Sequence, residues 1–316
     1  MVSLLALVVV CVLAIVSGRG RIDPTNADQN IGRVTVQGMA AGQGVYPAMN
    51  HALRVTNGPP KSGRDFRQPL IYEMWHALGS EGAIWIAYVI LIGVAGAAVA
   101  TTSEAPLVAP LIAVYLLGAA HLDQYFQVEM WAVPLTLLAT AAWRKAWYKT
   151  AMVLGATASL VRELALLVIV GGFWEGRKRR WPWVLGGAVA AALIVAHFAY
   201  AARYATPTGF EAPLLGRVDP GWVLLVAGVG LTHGFVVASV LLALVAVRFV
   251  QDRDLARFIG PMVALPLVGV VIHREYWGFM VVPFEILFAA EAATIMVTAI
   301  RNRGNEPAGV SLIGPG

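Results

Sequence analysis

Long apolar runs separated by short polar segments make up most of this chain. Such runs occupy 2–17, 82–101, 105–120, 128–143, 150–174, 183–204, 221–250, 258–272 and 279–300. A helix that crosses a bilayer needs about 20 mostly apolar residues, and most of these runs come close to that length or exceed it. Only 13% of the residues are charged, about half the usual share of a soluble domain. The pattern predicts an all-α integral membrane protein.

The basic residues indicate how the chain crosses the membrane. They cluster at 144–149, 177–180, 248–257 and 301–303. Basic loops favour the cytoplasmic side, but a single span through 150–174 would put the first two clusters on opposite sides. A hairpin that enters and leaves on one side removes the conflict. Arg162 and Glu163 interrupt the middle of that run and would form its buried tip, since irregular backbone is tolerated at membrane depth against protein.

The resulting prediction is one membrane domain, 1–316, with about eight transmembrane helices plus the half-membrane hairpin 150–174. The loop 18–80 is then the large extracytoplasmic loop. Ionisable side chains at a membrane are costly and indicate functional sites, and they collect on this outer face. The candidates there are Asp23, Asp28, His121, Asp123, Gln127, Glu129, Arg162, Glu163, His273 and Arg274.

These candidates have structural alternatives. Asp23 and Asp28 could each cap a helix instead of acting in catalysis, and His121 could have a structural role in its loop. Cys11 is the single cysteine, so no disulfide or cysteine metal site is predicted. No HExxH motif, P-loop or dinucleotide-binding glycine motif occurs. Without these motifs no cofactor is predicted. The net charge of +5 comes from basic residues between the apolar runs, where they indicate membrane topology, so no nucleic-acid partner is predicted either.

Three segments together have a familiar arrangement. The first lies in the outer loop and places Asp28 ahead of Gly42, Tyr46 and a Pro/Tyr stretch that ends at Tyr72. The second sets Gln127 and Glu129 directly before an apolar run. The third joins the basic loop at 144–149, a small-residue stretch that ends at Arg162, and the basic loop at 177–180. These segments resemble the GT-C class of membrane glycosyltransferases, in particular the bacterial branch of polyprenyl-phosphate-mannose-dependent α-mannosyltransferases.

The resemblance covers roughly residues 1–185 and implies a GT-C-like fold and a reaction. A sugar, mannose in that branch, would move from a polyprenyl-phosphate donor to a hydroxyl of a lipid or glycan acceptor. The protein would be integral to the cytoplasmic membrane, among membrane lipids, with its active face extracytoplasmic. Some members of the class use a divalent cation, but this chain has no clear ligand set for one.

The resemblance also implies roles for individual residues. Asp28, with Asp23 as the alternative, would be the general base, and Arg274 and Arg162 would hold the donor phosphate. The substrate pocket would contain Tyr46, Tyr72, His121, Gln127, Glu129, Glu163 and His273. Two other functions fit the same pattern: a transporter or flippase for a lipid-linked or anionic substrate, and a non-catalytic membrane assembly partner.

Overall fold

The structure is a computed structural model that describes residues 2–18, 27–60, 62–120, 125–175, 180–206, 240, 243–272 and 278–304. These residues are 86% helical and contain no β-strand. The predicted all-α class is therefore confirmed for the described part of the chain.

Thirteen helices account for most of the described residues. The first seven are α1 (Val2–Ser17), α2 (Ala27–Ala40), α3 (Val45–Thr56), α4 (Pro69–Leu78), α5 (Glu81–Ala100), α6 (Val108–Ala119) and α7 (Val128–Arg144). The remaining six are α8 (Tyr148–Val161), α9 (Leu166–Glu175), α10 (Arg180–Ala201), α11 (243–251), α12 (Arg253–Ile272) and α13 (Gly278–Gly304). Short 3₁₀ turns occupy Gly63–Asp65, Glu163–Ala165 and Ala202–Tyr204.

Among the described helices, three are long and apolar enough to cross a membrane: Glu81–Ala100, Arg180–Tyr204 and Met280–Asn302. The predicted count of eight is not supported. The apolar helices α1 and α6 have only 16 and 12 residues, and α7 has 17, with Glu129 and Arg144 near its ends. The predicted span 221–250 lies mostly outside the described residues.

Helix α7 lies at the centre of the bundle, where it packs against α5, α8 and α13. Its side chains are buried nearly along its whole length. The helix has a carboxylate near its first end, Glu129, and a guanidinium at its last, Arg144. At 1.5 Å per residue the two positions are about 22 Å apart along the axis. They therefore mark opposite ends of the bundle.

Helices α8 and α9 form a hairpin whose turn lies at Arg162. The Arg162 backbone is extended, with φ −144° and ψ 116°, which ends α8 at Val161. Gly155 of α8 faces Val168 and Ile169 of α9, so the two helices run side by side. Trp143 Nε1 donates a hydrogen bond of 2.9 Å to Glu175 Oε2, which joins the end of α7, just before the hairpin, to the end of α9. The position of this hairpin relative to a membrane stays a prediction.

Much of the predicted outer loop folds as helices α2, α3 and α4, which pack against one another. The Trp75 ring of α4 contacts Phe126, just before α7, edge to face at 5.1 Å. Gly79 then ends α4 in the left-handed region, with φ 73°, which favours glycine. Ser80 caps α5 by accepting a hydrogen bond from the Ala83 N–H at 3.2 Å. These contacts hold the loop helices against the Glu129 end of α7.

Helices α9 and α12 approach closely at Gly171. A methyl group there would collide with the Phe258 carbonyl, and small residues are what permit such close helix packing. We expect Gly171→Ala to destabilise the protein by about 1–3 kcal/mol, as overpacking does, and to lower the thermal midpoint. Gly118→Ala is the matched control, because nothing lies within 4 Å of its added methyl. Equal midpoints for the two variants in detergent would contradict this packing.

Candidate functional site

The turn of the α8–α9 hairpin places Arg162 between two carboxylates. Arg162 Nε lies 2.8 Å from Glu129 Oε1, and Arg162 Nη1 donates a hydrogen bond of 2.6 Å to Glu163 Oε1. Glu129 lies in the first turn of α7, and Arg162 directly follows the last turn of α8. Helix dipoles favour an anion at the first position and a cation at the second. Local backbone geometry therefore supports the pairing.

Only one member of this acidic cluster (Glu129, Arg162 and Glu163) reaches the surface. The side chains of Glu129 and Arg162 are 5% and 3% exposed, whereas that of Glu163 is 29% exposed. With two carboxylates and one guanidinium, the cluster has one negative charge in excess when all three groups are ionised. Arg162, predicted to hold a phosphate, is already in contact with two anions. Its observed contacts instead orient Glu163 toward the outside.

His197 of α10 connects this end of the bundle to α3. Its Nε2 lies 3.2 Å from the Phe66 carbonyl oxygen, and its Nδ1 lies 2.9 Å from the Tyr46 hydroxyl. A carbonyl oxygen only accepts hydrogen bonds, so Nε2 carries a proton, and in the neutral ring Nδ1 accepts from Tyr46. The Glu163 carboxylate lies within electrostatic range of this imidazole. The acidic cluster and His197 thus lie near each other at this end of the bundle.

Three tyrosines continue this region toward the surface, and we call Tyr46, Tyr200 and Tyr204 the tyrosine cluster. The Tyr46 ring meets Tyr200 edge to face at 4.8 Å and lies nearly parallel to Tyr204 at 5.8 Å. Burial, followed by the neighbouring Tyr200 and Tyr204, raises the pKa of Tyr46. Its hydroxyl therefore remains a donor toward His197 at neutral pH.

Asp28 lies in the first turn of α2, which begins at Ala27. Its side chain is outside the described part of the structure. One turn later, Gly32 lies against the Phe126 carbonyl and the Trp75 ring. The start of α2 is therefore close to the chain that leads into Glu129. Five other candidate residues lie outside the described residues: Asp23, His121, Asp123, His273 and Arg274.

Besides Glu129, two predicted pocket residues are buried. Tyr72 is only 2% exposed and meets the Trp75 ring edge to face at 5.3 Å. A side chain this buried belongs to the hydrophobic core and not to a surface that a substrate reaches. Gln127 is 7% exposed, and its Oε1 has no hydrogen-bond partner within the described ranges.

Sequence reasoning missed four residues of this region: His197, Tyr200, Tyr204 and Arg33. His197 and Tyr200 are three residues apart on one side of α10, and Tyr204 follows in the 3₁₀ turn Ala202–Tyr204, where its ring meets that of Tyr200. That pattern is readable in the sequence but lies within an apolar run. Arg33 lies on α2, where its Nη2 donates to Asn30 Oδ1 at 3.3 Å.

A second charged cluster lies at the opposite end of α7. Arg144 Nη2 donates to Glu291 Oε2 at 2.8 Å, and Arg248 Nε contacts the same carboxylate at 3.1 Å. Arg248 also pairs with Asp252 at 3.2 Å. Two cations balance two anions here, and the contacts link α7, α11 and α13. This balanced cluster has the character of a structural network, in contrast to the acidic cluster with its exposed carboxylate.

No protein family, curated relative or solved structure matches this chain. Within the described ranges, no group of three or more His, Cys, Asp or Glu side chains is placed to hold a metal ion. The candidate site is therefore defined by its own geometry: the acidic cluster, His197, the tyrosine cluster and the adjacent start of α2.

Proposed function

We propose that this protein is a membrane glycosyltransferase that moves a sugar from a polyprenyl-phosphate donor to an acceptor hydroxyl outside the cytoplasm. The observation that carries the proposal is the acidic cluster at the turn of a broken helix. The partly exposed Glu163 carboxylate there lies at the same end of α7 as the tyrosine cluster and the start of α2. Charges among apolar helices are costly and indicate a functional site, and this cluster, unlike the balanced one at the other end of α7, has an excess carboxylate that reaches the surface.

The proposed location follows from the two ends of α7. The basic loop at 144–149 directly follows the Arg144 end, and the positive-inside rule assigns that end to the cytoplasm. The Glu129 end would then face the extracytoplasmic side, with the protein integral to the cytoplasmic membrane. Three apolar helices long enough to span a bilayer support this arrangement.

The proposed reaction needs a proton acceptor for the acceptor hydroxyl. We assign this role to Asp28, with Asp23 as the alternative. As the hydroxyl oxygen bonds to the anomeric carbon of the sugar, its proton passes to the carboxylate. The bond between that carbon and the phosphate oxygen breaks, and polyprenyl phosphate leaves with the electron pair. A well-placed general base contributes about 10²–10⁴-fold to such a step.

The leaving phosphate needs positive charge around it, and such electrostatic stabilisation is often the largest catalytic contribution. We propose Arg274 for this role, because guanidinium groups match phosphate oxygens in a bidentate fashion. Arg33 of α2 is an additional candidate, because its buried Nε has no hydrogen-bond partner within the described ranges. Arg162, predicted for the same task, contacts Glu129 and Glu163, so we assign it to positioning these carboxylates.

The experiment is a transfer assay with purified protein in liposomes. The donors are polyprenyl phosphates that carry radiolabelled mannose, glucose or galactose, and the acceptors are extracted membrane lipids and glycans. We expect label to move to an acceptor from one of these donors and not from nucleotide sugars. Failure of every lipid-linked donor would overturn the proposed function. Movement of intact donor across the bilayer without transfer would favour a flippase.

A further inference from the structure

The tyrosine cluster combines stacked aromatic rings with hydroxyl groups, and the proposed reaction of the donor phosphate does not use them. We infer that the tyrosine cluster binds a sugar ring of a glycan acceptor, with the Glu163 carboxylate accepting a hydrogen bond from one of its hydroxyls. This inference rests on the proposed function and specifies its acceptor as a carbohydrate.

The surface of the cluster matches the two-sided chemistry of a sugar. A pyranose ring has an apolar face of C–H groups and a rim of hydroxyls, so it needs an aromatic surface beside polar groups. Tyr200 is 42% exposed, and its hydroxyl lies 3.4 Å from that of Tyr204. The Arg203 guanidinium lies over the Tyr200 ring at 5.1 Å. Apolar ring surface, hydroxyls and a cation thus lie together at the end of α10.

The cluster is also held in place before any ligand arrives. Tyr46 is fixed by His197, which is fixed in turn by the Phe66 carbonyl. The Thr206 N–H donates to the Pro60 carbonyl at 2.8 Å, which joins the chain after the cluster to the chain after α3. A site assembled in advance loses less entropy on binding, and tyrosine offers a large contact area with few rotatable bonds.

Anchoring at the membrane interface is the simpler role for tyrosines near the end of an apolar helix. An interfacial anchor does not require contacts with other aromatic side chains. Here three rings from α3 and from the end of α10 contact one another, and Phe66 packs against Tyr204 at 6.3 Å.

The test measures glycan binding without any donor. A mixture of linear trisaccharides of mannose, glucose and galactose is added to the protein in nanodiscs, and saturation-transfer NMR detects binding. We expect transfer to be strongest at the C–H protons of one sugar face, because these contact aromatic rings. Tyr200→Ala or Tyr204→Ala should weaken binding about two- to tenfold each, whereas Tyr204→Trp should retain it. Tyr148→Ala, at the start of α8, is the matched control.

Thermal midpoints of all variants establish that they are folded. Binding that is absent from the wild type, or unchanged in both alanine variants, overturns the inference. Glu163→Gln should weaken binding while leaving the aromatic contacts in the spectrum. The proposed function is tested separately. Transfer by the wild-type protein only to lipids that carry no sugar would support that function and contradict this inference. A protein that binds trisaccharides at the tyrosines but transfers nothing would support the sugar-binding site and contradict the proposed enzymatic activity.

Discussion

Replacing Asp28 with Asn is expected to slow sugar transfer by a factor of about 10²–10⁴. The amide has nearly the same size as the carboxylate but does not take up the proton of the acceptor hydroxyl. Since the change removes an interaction of the transition state, kcat should fall while the affinity for the donor stays near its wild-type value. Initial rates of label transfer at varied donor concentration measure both quantities.

The matched control for Asp28→Asn is Asp65→Asn. Asp65 lies in the same outer segment, where one of its carboxylate oxygens accepts the Ser62 N–H at 2.9 Å, and it has no assigned catalytic role. We expect this control to transfer at close to the wild-type rate. If Asp28→Asn is fully active and Asp23→Asn is not, the base is Asp23. Full activity in both variants would exclude general-base catalysis from the start of α2.

The sequence indicated where the apolar run is interrupted but not which side chain pairs with Arg162 there. A charged pair in the middle of an apolar run indicates a break, because buried charges require partners. The structure breaks the helix at this position, and Arg162 pairs with Glu129 from α7. Which distant carboxylate meets the guanidinium depends on how the helices pack. The Tyr46–His197 contact has the same origin, since it joins positions 151 residues apart.

The helices of the outer loop were also hard to predict. The resemblance to the GT-C class placed Tyr72 in a substrate pocket, whereas its side chain is only 2% exposed. Much of the loop folds as α2, α3 and α4, whose apolar side chains, Tyr72 and Trp75 among them, belong to the same hydrophobic core as the rest of the bundle. The apolar positions that form this core recur at helical spacing, for example Ile71 and Trp75 of α4. This helical spacing was the sequence evidence for helices within the loop, and it is weaker evidence than the long apolar runs give for the other helices.

Replacing Arg162 with Met is expected to destabilise the protein by about 3–5 kcal/mol, the usual cost of removing one partner from a buried ion pair. Glu129 would then be left among apolar helices with a side chain only 5% exposed. The loss should appear as a large drop in the thermal midpoint in detergent. Arg257→Met is the matched control, because its pair with Asp254, at 3.1 Å, lies at the surface. Such exposed pairs contribute about 0–1 kcal/mol.

The double variant Arg162→Met with Glu129→Gln separates charge from packing. If Arg162 serves mainly to neutralise Glu129 and orient Glu163, removing both charges should recover much of the lost stability, since buried ion pairs are often replaceable by neutral groups. Transfer should remain impaired in this stable double variant, because Glu163 has lost the guanidinium that orients it. Full recovery of transfer would contradict a positioning role for Arg162. No recovery of stability would mean that the Arg162 side chain is needed for its packing and its other contacts, and not for its pair with Glu129.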